Sequence, residues 1–343
     1  MADITSNFLG IKSPNPYWLA SAPPTDKKYN VLRAFEAGWG GVVWKTLGSQ
    51  VKNVSSRYSA VDFNGSRMMG FNNIELISDR PLDINLKEIA ECVKLFPDRA
   101  MIVSLMADND KKSWHELIKK VEDTGAHGFE LNFGCPHGMT ERGMGAAVGQ
   151  DPEIACMVVE WVMEAATIPV ITKLTPNVHS VVPTGRSVVK AGTNALSLIN
   201  TIQSVTGVDL DTLVPNPYVA GKSVFGGYCG PAVKPIALKM LTTIAQDELT
   251  KTDGRLINKY NFRLHELLAT FIGLNNSIPA TEKWSKFQVA TAKQDYTKNE
   301  KGFPGYMEWI KTKTGFDKRV AYIAENKTDY TSRLKKRVAD YKL

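Results

Sequence analysis

The chain has 343 residues, 43% of them apolar and 22% charged, a composition that excludes disordered, collagenous and disulfide-stapled proteins. Its net charge of +7 is concentrated at one end: residues 311–343 hold ten Lys/Arg against four Asp/Glu. That excess reads as a solvated basic helical face rather than a nucleic-acid surface. No run of apolar residues is long enough to cross a membrane, no basic-then-apolar leader opens the chain, and Cys92, Cys135, Cys156 and Cys229 form no CxxC pair. The expectation is a cytoplasmic protein with reduced thiols and no metal, since none of the five histidines is spaced with another ligand.

Short apolar runs alternate with amphipathic stretches from the N-terminus onward. A strand is expected at 16–21 (PYWLAS), followed by a helix over 27–37 with Asp26 as its cap and Gly38 as its stop. Strands follow at 41–46 (GVVWKT), 100–105 (AMIVSL) and 128–133 (GFELNF). Before the last of these, Trp114, Leu117, Ile118 and Val121 mark one helix face ending at Gly125. A further helix starts at Asp151-Pro152 and keeps Ile154, Met157, Val158, Trp161, Val162 and Ala165 on one side. Strands at 169–174 (PVITKL) and 195–200 (ALSLIN) come next, then a helix carrying Ile236, Met240, Leu241 and Ile244. A weak strand at 255–260 and a clearer one at 286–291 complete eight.

Eight strands alternating with helices imply a parallel sheet. An open doubly wound sheet would carry a glycine-rich phosphate turn after an early strand, and none is present. The expected fold is therefore an α/β (β/α)8 TIM barrel over residues 1–300, with a basic helical tail at 301–343.

In such a barrel the strand C-termini share one face, which would bring Lys45 and Lys173 into one pocket with Asn132, Asn200 and Thr201. Two half-buried ammonium groups need an anionic or electron-rich partner, and a flavin suits them because a cation stabilises its reduced ring. Cys135 follows the fourth strand in a Pro/Gly-rich loop beside His137, a place for a proton donor or nucleophile. Residues 71–77 present Asn73 and Glu75, which complement a ring bearing N–H and C=O groups. Cys92 and Cys156 fall on amphipathic helices and read as structural.

Together SPNPYWLASAPPT, RAFEAGWGGVVWKT, NNIELIS, ELNFGCPHGMTERGMG, TKLTPN, SLINT and GGYCGPAVKPIAL resemble the FMN- and pyrimidine-binding part of NAD-dependent dihydropyrimidine dehydrogenases, within the dihydroorotate dehydrogenase superfamily. The resemblance is dense from residue 7 to about 244. It implies that Ala20, Ser21, Lys45, Thr46, Lys173 and Gly230 hold FMN, and that Asn73, Glu75, Asn132, Asn200 and Thr201 grip the pyrimidine base, uracil or thymine. It makes Cys135 the general acid. The chain diverges after about residue 245: Tyr260 and Asn261 stand where the family has a glycine pair for the FMN phosphate, while Ala290 and Thr291 occupy its last phosphate positions. A loosely held phosphate is expected, because a β-carbon hinders amides from closing on it. The family's ferredoxin-like cysteines are absent from this chain. NAD(H) electrons would then arrive through a partner subunit carrying FAD and iron–sulfur clusters, and the assembly is compatible with a homo-oligomer. The competing expectations are dihydroorotate oxidation, and a degenerate barrel that binds a pyrimidine or a partner without turnover.

Overall fold

A hairpin opens the chain, β1 (Ser6–Phe8) pairing antiparallel with β2 (Ile11–Ser13). The computed structural model describes residues 4–49, 58–63, 66–135, 139–219 and 221–247. The strands expected at 255–260 and 286–291, the tail at 301–343, and His137, Tyr260, Asn261, Ala290 and Thr291 lie outside the described residues. After the hairpin come β3 (Trp18–Leu19), α1 (Lys28–Glu36), β4 (Gly41–Gly48), β5 (Tyr58–Phe63), β6 (Ser66–Asn73), α2 (Leu82–Leu95) and β7 (Ala100–Met106). They continue as α3 (Lys111–Glu122), β8 (Gly128–Phe133), α4 (Ala146–Gln150), α5 (Pro152–Ala165), β9 (Val170–Leu174), α6 (Val182–Lys190) and β10 (Ala195–Ser197). An insertion then holds β11 (Ile202–Ser204), two small hairpins formed by β12 (Gly207–Val208) with β13 (Pro215–Asn216) and β14 (Tyr218–Val219) with β15 (Lys222–Ser223), and β16 (Gly226–Cys229), before α7 (Lys234–Gln246).

Six strands form one parallel sheet in the order β3-β4-β7-β8-β9-β10. Each barrel strand lies beside the next one in the chain, with no reversal of direction. A doubly wound sheet reverses strand order at its centre, so this winding is that of an α/β barrel. Period-two alternation sorts the side chains. Val42, Trp44, Met101, Val103, Leu105, Phe129, Leu131, Phe133, Val170 and Leu174 point outward into the layer shared with the helices. Val43, Ala100, Ile102, Ile171 and Ala195 point inward at the start of the strands, where Ile11 and Phe8 of the hairpin and Trp18 close that end. The same alternation carries Lys45, Ser104, Glu130, Asn132 and Lys173 to the inner side nearer the strand C-termini.

Two helix starts follow directly from sequence. The Asp110 carboxylate accepts from Ser113 N at 2.8 Å to cap α3, and Asp151 accepts from Glu153 N at 2.9 Å and Ile154 N at 3.1 Å to cap α5. The start of α1 differs from expectation: Lys27 is its N-cap without a side-chain bond, and Asp26 instead accepts from Asn30 Nδ2 at 3.2 Å. The strand expected over 195–200 ends at Ser197. The chain then turns, and Asn200 N donates back to Leu174 O at 3.1 Å.

A second sheet, antiparallel and in the order β11-β16-β6-β5, joins the insertion after β10 to the loop after β4. Its register sets Gly227 opposite Asn73 and Tyr228 opposite Asn72. Among the described residues no helix is long and apolar enough to cross a membrane.

Candidate active site

The cleft at the strand C-termini is built from five segments. The turn after β3 gives Ser21, Ala22 and Pro23; β4 gives Lys45 and Thr46; the stretch ending β6 gives Asn73, Glu75, Leu76 and Ile77; β8 and its loop give Asn132 and Cys135; the turn after β10 gives Asn200 and Thr201. The open space between them is about 490 Å³, the solvent at its mouth included. Nine residues singled out from sequence therefore meet in one place: Ser21, Lys45, Thr46, Asn73, Glu75, Asn132, Cys135, Asn200 and Thr201.

Consecutive residues of a strand normally face opposite sides, yet Lys45 and Thr46 both reach the cleft. The cause is an irregularity in β4: its pairing with β7 shifts register between Trp44 and Leu47. Such a bulge re-aims side chains beside functional sites. Thr46 becomes the hub of a polar floor. Its backbone N donates to Ser21 Oγ at 3.1 Å, and its hydroxyl lies 2.8 Å from Ser104 Oγ and accepts from Asn132 Nδ2 at 2.9 Å. Asn132 Oδ1 accepts from Asn200 Nδ2 at 2.8 Å and from Gly134 N at 3.2 Å. Asn200 Oδ1 accepts from Thr201 N at 2.8 Å. Each amide is thus fixed in orientation by its neighbour. A network satisfied this way holds its members in one geometry.

The lysines are not bare cations. Lys45 Nζ lies 3.0 Å from Glu75 Oε2, with side chains only 6% and 10% exposed. Lys173 Nζ lies 3.5 Å from Glu130 Oε1, with side chains 12% and 6% exposed. The two glutamate oxygens make these ionic contacts without hydrogen-bond geometry. Anionic partners for both lysines are therefore supplied by the protein itself, and the need for an external anion falls away. Among the described residues the formal charges lining the cleft, Lys45 and Glu75, cancel, and Lys173 and Glu130 cancel off its wall, so this lining suits a ligand without net charge. Glu75 is held from the other side by its own turn, in which Glu75 N donates to Asn73 Oδ1 at 2.7 Å, and Ser78 N donates to Thr46 O at 2.8 Å.

Cys135 is buried among Ile77, Met106, Met139 and Met144, and its carbonyl accepts from Ala146 N at 3.1 Å. Burial pushes the Cys229 thiol up to about 11 and the Cys92 thiol up to about 12, so neither ionises near neutrality. Among the described residues no group of His, Cys, Asp and Glu could hold a metal.

Three expected cofactor residues stand off the cleft wall. Ala20 is one residue short of it, and its carbonyl is 3.4 Å from the Thr25 hydroxyl that donates to it. Lys173 lies opposite Asn132 in the β8–β9 register. Gly230 has φ 95° and opens the turn Pro231–Val233 ahead of α7. The residues missed from sequence are Ala22, Pro23, Leu76, Ile77 and the supporting Ser104 and Glu130. Glu130 had a readable signal: it shares a face with Asn132, and an acid on a barrel interior needs a cation.

For the ring of a flavin, the described residues offer a fixed hydroxyl and amide floor, a buried ammonium at Lys45, and glutamate oxygens without directed hydrogen bonds; that donor and acceptor set fits an isoalloxazine. The positions expected to meet its phosphate lie outside the described residues.

An α/β barrel with a polar cleft at its strand C-termini defines an enzyme-like class of site. Within that class the profile of the dihydroorotate dehydrogenase family matches residues 3–252. The chain is 45% identical over 252 residues to the chloroplastic dihydropyrimidine dehydrogenase (NADP(+)) of Arabidopsis thaliana, covering 71% of this chain and 59% of that protein. It is 37% identical over 240 residues to the NAD-dependent dihydropyrimidine dehydrogenase subunit PreA of Escherichia coli K12, covering 70% and 58%. It is 31% identical over 254 residues to the catalytic subunit of dihydroorotate dehydrogenase B (NAD(+)) of Thermococcus kodakarensis, covering 72% and 76%. A crystal structure of a ligand-free dihydroorotate dehydrogenase from Eimeria tenella superposes with a TM-score of 0.55 at 16% identity over 74% of each chain, a likeness of fold. The chain belongs to the dihydroorotate dehydrogenase family. It spans about three-fifths of the length of the dihydropyrimidine dehydrogenases it matches.

Proposed function

We propose that the chain is the FMN- and pyrimidine-binding part of a dihydropyrimidine dehydrogenase, interconverting uracil or thymine with the 5,6-dihydro base. The observation that carries the reading is the meeting of Asn73, Glu75, Asn132, Asn200, Thr201 and Cys135 beside Lys45 and Thr46 in one cleft, where among the described residues the charges of Lys45 and Glu75 cancel. A pyrimidine base is neutral and alternates N–H donors with C=O acceptors, which amides, a hydroxyl and a carboxylate can match. When bound, FMN supplies the hydride chemistry. Ser21, Lys45, Thr46 and Lys173 would hold its ring, with Ala20 and Gly230 lending backbone. The Cys135 thiol would hold the proton destined for C5 of the base, and the hydride acceptor is C6, so one hydride and one proton complete the saturated bond. Burial of that thiol among methionines keeps bulk water from competing for the proton.

NAD(P)H electrons would reach the chain through a separate subunit with FAD and iron–sulfur clusters; two of the relatives are themselves named subunits. Dihydroorotate is the neighbouring substrate, favoured by the 31% identical relative. Glu75 alone does not exclude it, because Lys45 neutralises its charge at 3.0 Å. The cleft's balanced charge favours the uncharged base instead, since a carboxylate gains no net attraction there. Steady-state oxidation of dihydrouracil and of dihydroorotate by the FMN-supplemented chain, with an artificial electron acceptor, tests this. Turnover with dihydrouracil supports the reading, turnover with dihydroorotate alone transfers the assignment to that substrate, and turnover with neither contradicts it.

A further inference from the structure

The substrate wall suggested above comes from two segments far apart in sequence, and one buried side chain joins them. Asn72, fully buried, points away from the cleft beside Asn73 on β6. Its Nδ2 donates to Ser204 Oγ at 2.8 Å and to Ser204 O at 3.1 Å, across 132 positions of sequence. Ser204 closes β11, the strand that follows Asn200 and Thr201. Between the two strands runs β16, and its residues here are glycines. A β-carbon on Gly226 would overlap the Asn72 amide, and one on Gly227 would overlap the Thr201 hydroxyl. The absence of those side chains lets Asn72 reach past β16 to Ser204 and lets the Thr201 side chain pack against Gly227.

We propose that Asn72 is a positioning residue, which through Ser204 locks the segment carrying Asn73 and Glu75 to the segment carrying Asn200 and Thr201. The inference rests on the pyrimidine-binding reading of those four residues. Asn72 itself does not line the cleft. Its loss leaves Thr46 tied to Ser21 and Ser104, and leaves Asn132 its bond to Thr46 although its partner Asn200 is on the released segment. Base binding should therefore suffer while flavin binding does not.

The test compares wild type, Asn72→Ala and Ser204→Ala by calorimetric titration with uracil, by titration with FMN, and by hydrogen exchange of the amides of 66–73 and 100–106. The expected result is a loss of about tenfold in uracil affinity for Asn72→Ala, corresponding to the buried hydrogen bonds removed, and a smaller loss for Ser204→Ala, which keeps the bond to the carbonyl. FMN affinity should stay within about twofold in both, and faster exchange should be confined to 66–73. In kinetics the change belongs in KM rather than kcat. Unchanged uracil affinity in both variants overturns the proposal. So does a parallel loss of uracil and FMN affinity with faster exchange at 100–106, which marks a general structural role; Ser204→Ala decides the matter if Asn72→Ala does not fold. Wild type that binds neither uracil nor FMN contradicts the function itself, and the inference falls with it.

Discussion

Lys173 and Glu130 face each other in the barrel interior with little access to water, and that pairing has a consequence for mutation. Removing one member of a buried pair strands the other charge, at a cost of about 3–5 kcal/mol, whereas replacing both by apolar residues of like size is often near neutral. Lys173→Met should therefore lower stability strongly in denaturant unfolding, and Lys173→Met with Glu130→Leu should recover most of the loss. Equal destabilisation in the single and double variants would show that the pair does not interact. Cys135 sits differently, buried at the cleft rather than off its wall. Cys135→Ala should keep its flavin and fold but lose about 10²–10⁴-fold in turnover, the usual cost of removing a general acid. A near wild-type rate would take Cys135 out of the chemistry. The lysines were visible in sequence as strand-end cations and Glu75 as a pocket residue, but the pairing of Lys45 with Glu75 and of Lys173 with Glu130 was not. Glu75 lies thirty residues beyond Lys45, and Glu130 sits inside an apolar strand, so only the register of β8 on β9 and the path of the loop after β6 reveal the pairs.

At the level of elements, α5 shows how local chemistry fixes an end. Asp151 accepts from two backbone amides and Pro152 occupies the first helical turn. Asp151→Ala should cost about 1 kcal/mol in unfolding free energy, the typical value of a lost N-cap, and Asp151→Asn should recover most of it. No change in either variant would mean the cap is redundant. The strands 41–48, 100–106, 128–133 and 170–174 were readable because each is a short run bounded by Gly, Pro or Asn and buried on both faces. The antiparallel sheet of β5, β6, β11 and β16 was not. Two of its strands, β11 and β16, are short, and β6 pairs with β16 more than 150 residues later, so no local periodicity reports the contact. The β4 bulge escaped for the same reason: Lys45 and Thr46 read as opposite faces until the register against β7 is known.

For the molecule as a whole, half-buried His127 links stability to pH. Its Nδ1 accepts from Met101 N at 3.0 Å, and desolvation holds its pKa below the ordinary 6.5. The unfolded chain therefore binds this proton more readily than the folded one, and stability falls as pH drops from about 6.5 toward the lower folded value. Glu88, held low chiefly by its bond from Arg80, adds a separate loss only below 4.5. His127→Gln should flatten the melting temperature between about pH 7 and pH 5 relative to wild type; parallel curves would remove His127 from the linkage. Under the proposed function the barrel holds a flavin whose electrons pass to and from a pyrimidine base. The most direct measurement is the visible spectrum of the purified chain supplemented with FMN, followed under anaerobic conditions as dihydrouracil is added. The expected result is a protein-bound flavin spectrum that bleaches with dihydrouracil and returns with uracil. A chain that binds no flavin, or a bound flavin that dihydrouracil leaves oxidised, would contradict it.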